Sequence, residues 1–306
     1  MIELSVSTPH VVAIIVTFHP DIGSLCELLD NISHQVRSVC VVDNTPGPIK
    51  AELHLTLLLR PEVTLIRTGA NIGLAAAQNI AIEEALSASD CGFAITLDQD
   101  SIPGVDMVAK LLAANTELSR QGKKIGAIGP NYIDPRYKHL MPFVRLNGFS
   151  VERCDCKNAD DVCEVDYLIA SGSLVSFATL RKVGLMKSEF FIDYIDIEWG
   201  LRAKSLGYQS YGVCAAQMLH SLGDQPIQKF GRSIPVHSPL RHYYHFRNGI
   251  WLHCRSSFDW KWKVVDAYRL LRQYVFYSLF IGNRMDHFVA ITQGIIHGLM
   301  GRLGQK

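Results

Sequence analysis

The sequence predicts an α/β protein with a Rossmann-like, mostly parallel central sheet and a C-terminal helical extension. Short β-branched runs alternate with helical patterns over the first 130 residues, and a helical periodicity takes over beyond Pro239. No uncharged apolar run reaches the length of a membrane-spanning helix. With 306 residues, 48% of them hydrophobic and 19% charged, the chain is long enough for one large domain or two modest ones.

In the first half of the chain, predicted strands and helices alternate. The strands are predicted over residues 11–17, 39–43, 63–67, 93–97 and 125–128. Asp21 is suited to cap a first helix, and further helices are predicted over residues 75–86 and about 105–119. No G-x-G-x-x-G motif follows the first strand, which removes the main support for a dinucleotide-binding enzyme.

The pattern changes after residue 130. Residues 130–164 are expected to form an irregular excursion over the sheet, followed by a strand at 167–170, a helix at 196–206 ended by Gly207, and a strand at 208–213. Two amphipathic helices are predicted beyond Pro239 from apolar residues at three- and four-residue steps: Val264, Tyr268, Leu271, Val275 and Leu279, then Phe288, Ile291, Ile295, Leu299 and Leu303. We therefore divide the chain into an α/β domain, residues 1–228, and a basic, aromatic-rich, mostly helical region, residues 229–306.

Charge is distributed unevenly along the chain. The formal net charge is +1, but residues 229–306 carry twelve Lys and Arg against three acids. Aromatic side chains interleaved with these cations suit a membrane interface, whereas the aromatic signatures of RNA-binding modules are missing. The alternative is an ordinary packed helical subdomain with a basic face. We expect an anionic membrane surface, and no nucleic acid, as a partner of this region.

The eight cysteines lack the paired spacing of a disulfide framework. Residues 1–10 carry no basic residue before the apolar run that follows, which argues against a secretory signal. We therefore expect a cytoplasmic protein whose reduced thiols mostly pack as small hydrophobes. As an alternative, Cys154, Cys156 and Cys163 are three soft metal ligands, but no fourth Cys or His follows at zinc-site spacing.

Polar residues at strand ends are the first candidates for a site, because ligands of an open parallel sheet bind beyond the carboxyl ends of its strands. Asp98 and Asp100 follow the buried strand at 93–97, where two carboxylates can hold a divalent cation that keeps positions free for phosphate oxygens. A helix cap or turn is the alternative. Asp43 ends another strand, where it can accept a hydrogen bond from a pyrimidine base or cap a turn.

Two other segments add candidates. Asn71 and Gly73 lie in a loop before a predicted helix, where the backbone can approach a ligand or simply begin the helix. Asp196 lies among apolar residues with Asp193 and Glu198 nearby. Asp196 can serve as a general base if burial and neighbouring carboxylates raise its pKa, or it can merely cap the helix.

Five segments resemble, in order and spacing, glycosyltransferase family 2, whose members are inverting, metal-dependent enzymes with the GT-A fold. They are VAIIVTF at 12–18, VVDN at 41–44, NIGLAAAQN at 71–79, LDQD at 97–100 and YIDIEWGLR at 194–202. The runs DQDS at 98–101, FIDYIDIEW at 191–199 and RHYYHFRN at 241–248 are most similar to the bacterial rhamnosyltransferase branch. One position departs from that branch: Ile195 stands where an acid usually precedes the base, which leaves Asp193 or Glu198 to tune it.

This resemblance implies a role for each matching residue. Asp43 and main-chain atoms around Thr17 would bind the nucleotide base, and Asp196 would take the proton from the acceptor hydroxyl. Asp98 and Asp100 would hold Mg²⁺ or Mn²⁺ against the donor diphosphate, with His220 either as a third ligand or as a structural residue. The other implied substrate-binding residues are Asn71, Gly73, Arg202, Arg247 and Asn248, of which the last two reach the diphosphate or the acceptor unless they are helix-surface residues.

The resemblance also implies a reaction. The donor would be a nucleotide-sugar, dTDP-rhamnose, and the acceptor a lipid-linked oligosaccharide of surface polysaccharide synthesis, with the protein peripheral at the inner face of the cell membrane. A single base with no second carboxylate nucleophile predicts inversion, so a β-linked donor would give an α-rhamnoside. The alternatives are transfer of another sugar, such as galactofuranose or a hexose from a UDP donor, and a catalytically silent nucleotide-sugar-binding subunit. The presence of Asp98, Asp100 and Asp196 together argues against the silent subunit.

Overall fold

The computed structural model describes residues 10–88, 92–134, 139–158, 160–220, 227–229, 232–234 and 236–306. Its strands are β1 (Val11–Thr17), β2 (Ser38–Asp43), β3 (Val63–Arg67), β4 (Phe93–Asp98), β5 (Ile102–Pro103), β6 (Ile125–Asp134), β7 (His139–Leu140), β8 (Phe143–Asn147), β9 (Ser150–Cys154), β10 (Val162–Val165), β11 (Leu174–Ser176), β12 (Gln209–Leu219), β13 (Ile227–Lys229) and β14 (Arg232–Ile234). Its helices are α1 (Ile22–Ser33), α2 (Ala51–Leu58), α3 (Leu74–Ala88), α4 (Met107–Arg120), α5 (Phe177–Val183), α6 (Ile195–Ser205), α7 (Pro239–Arg255), α8 (Trp260–Leu279) and α9 (Arg284–Met300), with a 3₁₀ turn at Ser188–Phe190.

One ten-stranded, mostly parallel sheet confirms the predicted α/β fold. The strand order is β10-β12-β6-β11-β4-β1-β2-β3, with β5 paired to β12 and β7 paired to β6. The β4-β1-β2-β3 half is parallel throughout, and β6 and β12 are also parallel. The short strand β11 runs antiparallel to both of its neighbours.

The register of the parallel strands brings their carboxyl ends to one edge of the sheet. Thr17 is opposite Asp43, Asp43 is opposite Arg67, and Val16 is opposite Asp98. The residues expected to bind a base and those expected to bind a metal therefore lie side by side at this edge, as Rossmann-like sheets place their ligands.

Helices cover both faces of the sheet because the buried strands are apolar on both sides. Along β1, Ala13 and Ile15 belong to the core under α1 and α4, while Val12 and Ile14 belong to the core under α3, α5 and α6. The predicted cap of α1 is confirmed, since the Asp21 carboxylate accepts a hydrogen bond from a main-chain N–H of the first turn at 2.8 Å.

A third apolar cluster joins the C-terminal helices to the α/β part. Phe190 and Ile195 pack there with Phe246 and side chains of α8 and α9. Helix α9 lies close against α7, because a Cβ at Gly294 would stand 2.5 Å from a carbonyl oxygen of α7 and one at Gly298 would stand 2.6 Å from another. Residues 239–306 thus pack on the segment that carries Asp196.

The predicted C-terminal helices are confirmed as α8 and α9, and α7 begins at Pro239. The apolar residues that predicted α8 do not face the core, however. All five are exposed: Val264, Tyr268, Leu271, Val275 and Leu279. Among the described residues, no helix combines the length and the apolar character needed to cross a bilayer.

The strand predicted over residues 167–170 is wrong, because this stretch has no regular structure and the strand follows it as β11. Gly172, at a φ of +82°, turns the chain here, and its N–H donates to the carbonyl of Thr96 in β4 at 2.7 Å. The irregular stretch therefore passes beside the end of β4. It places the Ser171 hydroxyl 3.1 Å from the main-chain nitrogen of Asp98.

The chain between residues 130 and 164 is more regular than predicted, since it contains the end of β6, the β8–β9 hairpin and β10. Alternation of exposed and buried residues is weak there, so no clear strand period appears. Helix α2 was not predicted either, because only Leu53 and Leu57 of its short span are buried.

The prediction of reduced thiols is wrong for four cysteines. Cys154 is bonded to Cys163, and Cys156 to Cys214. The second pair is 58 residues apart in sequence and meets because β10 and β12 are neighbouring strands. The free cysteines of the described residues are Cys26, Cys40 and Cys254. Cys91 lies outside the described residues. Residues 1–9, on which the prediction about a secretory signal depends, also lie outside them.

Candidate active site

Asp98, Asp100 and His220 form a group whose potential ligand atoms all lie within 4.8 Å of one another. His220 Nε2 is 3.5 Å from Asp98 Oδ2, and His220 is buried whereas Asp100 is exposed. Two carboxylates and one imidazole fit a divalent cation such as Mn²⁺ or Mg²⁺ that binds from the open side. The three residues predicted as ligands are thus brought together at the carboxyl end of β4.

Two serines that the sequence did not single out orient the imidazole. The Ser101 hydroxyl lies 3.1 Å from His220 Nδ1 and 2.6 Å from the Ser171 hydroxyl. Because Nδ1 is engaged by Ser101, Nε2 is the nitrogen that faces Asp98. Ser101 directly follows the D-x-D acids, which was the available signal, whereas Ser171 arrives from a distant part of the chain.

Asp43 is buried where β1, β2 and β3 end. Its Oδ2 is 3.4 Å from Arg67 Nε, so the sheet edge contributes a cation that sequence reasoning missed. The hydroxyl of Thr17 is buried with no hydrogen-bond partner among the described residues. Next to Thr17, the Gln99 carboxamide bonds both main-chain groups of Phe18, at 2.8 and 3.3 Å.

The Asn71–Gly73 loop is shaped by protein contacts. Asn71 Oδ1 accepts hydrogen bonds from Gly73 N–H and from the Asn44 amide, both at 3.0 Å. A Cβ at Gly73, whose φ is +89°, would lie 2.6 Å from the ring of Phe191. The Phe191 carbonyl accepts the N–H of Leu74 at 2.7 Å and so caps α3. The close approach at Gly73 is thus made by Phe191.

Asp196 lies in the first turn of α6, whose N-cap is Tyr194, so capping does not account for this acid. Burial raises the pKa of Asp196 to about 6, and the negative charges of Asp193 and Asp98 also raise it, against a hydrogen bond from the N–H of Ile197 that lowers it. A carboxylate with this pKa is suited to act as a general base near neutral pH. The charge of Asp98 acts on Asp196, so the proposed base and the metal-ligand group interact electrostatically.

Three residues predicted to bind substrate are instead engaged with protein groups. Arg202 forms a two-pronged ion pair with Glu198, at 2.8 and 2.9 Å, and also donates to main-chain carbonyls. Glu198 is thus occupied by Arg202, so of the two acids predicted to tune Asp196 it is Asp193 whose charge raises the pKa of Asp196. Arg247 and Asn248 are fully buried and donate to main-chain carbonyls, so they are not helix-surface residues.

No protein-family model matches the chain. A curated relative, dTDP-rhamnosyl transferase RfbF of Shigella flexneri, is 33% identical over 246 residues, which are 79% of this chain and 79% of RfbF.

Solved structures share this fold. The crystal structure of GalNAc-T7 with UDP, GalNAc and Mn²⁺ superposes on this chain with a TM-score of 0.62 and 12% sequence identity. The superposition covers 96% of this chain and 56% of the GalNAc-T7 chain. The S. aureus TarS 1-349 complex with UDP-GlcNAc superposes with a TM-score of 0.56 at 14% identity, over 94% of this chain and 81% of TarS 1-349. With this fold and this degree of identity to RfbF, the chain belongs to the rhamnosyltransferase branch of the family 2-like, GT-A glycosyltransferases.

Proposed function

We propose that this glycosyltransferase moves L-rhamnose from dTDP-rhamnose, with inversion, to a lipid-linked saccharide of surface polysaccharide synthesis. The observation that supports this most is the Asp98–Asp100–His220 group, in a chain that is 33% identical to a dTDP-rhamnosyl transferase and that raises the pKa of Asp196 to about 6. Residues 1–228 would hold the donor and the catalytic groups, and residues 229–306 would support them and contact the membrane.

Each residue of the candidate site has a part in the proposed reaction. Asp98, Asp100 and His220 would hold Mg²⁺ or Mn²⁺, which when bound neutralises charge on the departing diphosphate. Asp43 would accept the N–H of the thymine base. Asp196 would accept the proton of the acceptor hydroxyl. At the same time the oxygen of that hydroxyl would bond to the anomeric carbon of the donor, and the bond between this carbon and the diphosphate oxygen would break.

A panel of donors tests this function. We expect the purified enzyme to consume dTDP-rhamnose in preference to UDP-galactofuranose and UDP-glucose, and to stop in EDTA until Mn²⁺ or Mg²⁺ is restored, with products followed by mass spectrometry. Preferential use of a UDP-sugar would contradict the donor assignment. Turnover in EDTA would contradict the metal's role, and binding of donors without transfer or hydrolysis would identify a silent subunit.

A surface of the C-terminal helices supports the proposed membrane contact. The outer faces of α8 and α9 expose apolar side chains, and the Tyr274 and Phe288 rings, 6.0 Å apart, join the two helices. We call this surface the apolar face; its exposed members are Val264, Tyr268, Leu271, Val275, Leu279, Met285, Phe288, Val289, Ile296, Leu299 and Met300. Arg272 and Arg284 are exposed on the same helices. Apolar side chains with flanking cations match a bilayer with anionic headgroups.

Vesicle binding tests the apolar face. The double variant Leu271→Glu, Val275→Glu is expected to lower partitioning onto phosphatidylglycerol vesicles by about tenfold or more, because each change removes a side chain able to enter the acyl region. Co-sedimentation measures the effect. The matched control is Leu55→Glu, Leu58→Glu on α2, which alters two exposed leucines that are not part of the apolar face. Equal vesicle binding by both variants, or a dimer in solution that only the first variant breaks, would contradict a membrane partner.

A further inference from the structure

The segment that leads into α6 has an unusual backbone. Phe191, Asp193 and Tyr194 have φ values of 67°, 64° and 64°, in the left-handed region that residues with a side chain seldom adopt. Such residues persist only where surrounding contacts hold them, and they concentrate at functional sites. Asp196 follows two residues after Tyr194. The backbone of residues 190–194 therefore sets where the proposed base lies and in which direction it points.

One amide of α7 holds most of this segment. Asn248 Nδ2 lies 3.0, 2.9 and 2.9 Å from the carbonyl oxygens of Phe190, Ile192 and Asp193, which share its two N–H groups. Asn248 is fully buried. Its Oδ1 accepts Arg247 Nε at 3.0 Å, so the amide is oriented with its N–H groups toward the segment.

Arg247 extends the same clamp. Its Nη2 donates to the carbonyls of Glu189 and Phe190 at 3.1 and 2.9 Å, and its Nη1 donates to the carbonyl of Gly304 near the C-terminus. The N–H of Gly304 in turn donates to the carbonyl of Glu189 at 2.8 Å. Residues from α7 and from the end of the chain thus hold the start of the segment together.

A second clamp holds the side chain of Tyr194. Its hydroxyl donates to Asp266 Oδ2 at 2.8 Å and accepts from Arg269 Nη2 at 2.8 Å. Asp266 is 5% exposed and is also bonded by His253 Nε2 at 2.9 Å. Tyr194 is the N-cap residue of α6, so α7 and α8 together fix the residue at which the helix of the base begins.

We propose that Asn248 is a positioning residue for catalysis: it holds residues 190–194 in their left-handed backbone and thereby aims Asp196 at the acceptor hydroxyl. The Tyr194–Asp266–Arg269 contacts support the same geometry from the other side. This inference rests on the proposed role of Asp196 as the base. A base displaced by about 1 Å loses on the order of a hundredfold in rate without any change in the groups that bind the donor.

Steady-state kinetics of Asn248→Ala tests the proposal. We expect kcat to fall by about ten- to a hundredfold, while the KM for the donor and the affinity for Mn²⁺ stay within about twofold of the parent enzyme. If Asn248 touched the diphosphate directly, the donor KM would rise instead. Either that result or an unchanged kcat in folded protein would overturn the proposal.

Two further variants provide a control and an independent test. Asn79→Ala removes a comparable clamp from the loop that precedes residues 190–194. Asn79 donates there to the Met186 carbonyl at 2.8 Å and to Ser188 Oγ at 2.9 Å. This variant should have a lower Tm and an unchanged kcat. Tyr194→Phe removes one hydroxyl and keeps the ring, so it should fold and lower kcat several-fold at constant donor KM. If Asn248→Ala does not fold, Tyr194→Phe decides, and a normal kcat in that variant overturns the proposal. If instead Asp196→Asn were active, the assignment of the base itself would fail.

Discussion

Replacing Asp196 with Asn is expected to lower kcat by about a hundredfold or more and to leave the affinity for the donor unchanged. The amide has the shape of the carboxylate but cannot take the proton of the acceptor hydroxyl. The comparison of kcat with the donor dissociation constant measures this effect. Because burial and nearby acids raise the pKa of Asp196, its ionised form is held in the fold at a cost in stability. The variant should therefore unfold at the same Tm as the parent or above it.

The pH dependence of kcat/KM supplies an internal check on this assignment, because it reports the pKa of the base in the free enzyme. With a pKa of about 6, Asp196 is protonated at lower pH, so kcat/KM should decline as the pH falls below about 6. Asp193→Asn removes a negative charge that raises this pKa, and the declining limb should move to lower pH while kcat/KM at neutral pH stays close to the parent value. Near-normal turnover of Asp196→Asn would contradict the assignment, and the base would then be sought at Asp193 or Glu198.

The strand-end acids were predictable because their signal is local. A buried apolar run that stops at an acid defines both the strand and the edge at which its side chain emerges, and this placed Asp43, Asp98 and Asp100 correctly at one edge of the sheet. The meeting of His220 with the two acids depends on β12 reaching the same edge. The spacing along the chain does not contain that information, and only the family resemblance supplied it.

The roles of Arg247 and Asn248 were not predictable in the same way. Their partners are main-chain carbonyls 55 to 58 residues away in sequence. Every residue has a main-chain carbonyl, so the sequence does not indicate which ones accept these hydrogen bonds. The left-handed backbone that they hold occurs at Phe191, Asp193 and Tyr194. None of these residues is a glycine, so the sequence does not indicate a left-handed conformation there. A resemblance identifies such residues as important but does not distinguish contact with a ligand from support of the residue that makes the contact.

For α8, the spacing of apolar residues is a similarly limited predictor. The spacing from Val264 to Leu279 identified an apolar helix face, as it should, but a period does not tell what that face packs against. In the structure the face that packs on the protein carries Trp262, Leu270 and Tyr277, and the periodic stripe lies outside. The disulfide between Cys156 and Cys214 was missed for a related reason, since it depends on the pairing of two distant strands.

Asp98→Asn is expected to have the other large effect: loss of Mn²⁺ binding together with a fall in turnover of at least about a hundredfold. Asp98 is the member of the ligand group nearest to His220, at 3.5 Å, and an amide oxygen is a weaker ligand that carries no charge to offset the cation. Titration with Mn²⁺, followed by the electron paramagnetic resonance of the free ion, measures binding separately from rate. Asp106→Asn is the matched control, because Asp106 is an exposed acid paired with Lys110 at 2.9 Å outside the ligand group.

Ser101→Ala then separates the ligands from the residue that orients them. Without the Ser101 hydroxyl, His220 Nδ1 loses its partner and the imidazole is free to turn its Nε2 away from Asp98, so Mn²⁺ affinity should fall by about tenfold while both carboxylates remain. Raising the Mn²⁺ concentration should restore turnover in Ser101→Ala but not in Asp98→Asn, since only the second has lost a charged ligand. If both variants bound Mn²⁺ as the parent does, the metal would have to lie elsewhere, and the diphosphate would lose the counter-charge on which the proposed transfer depends.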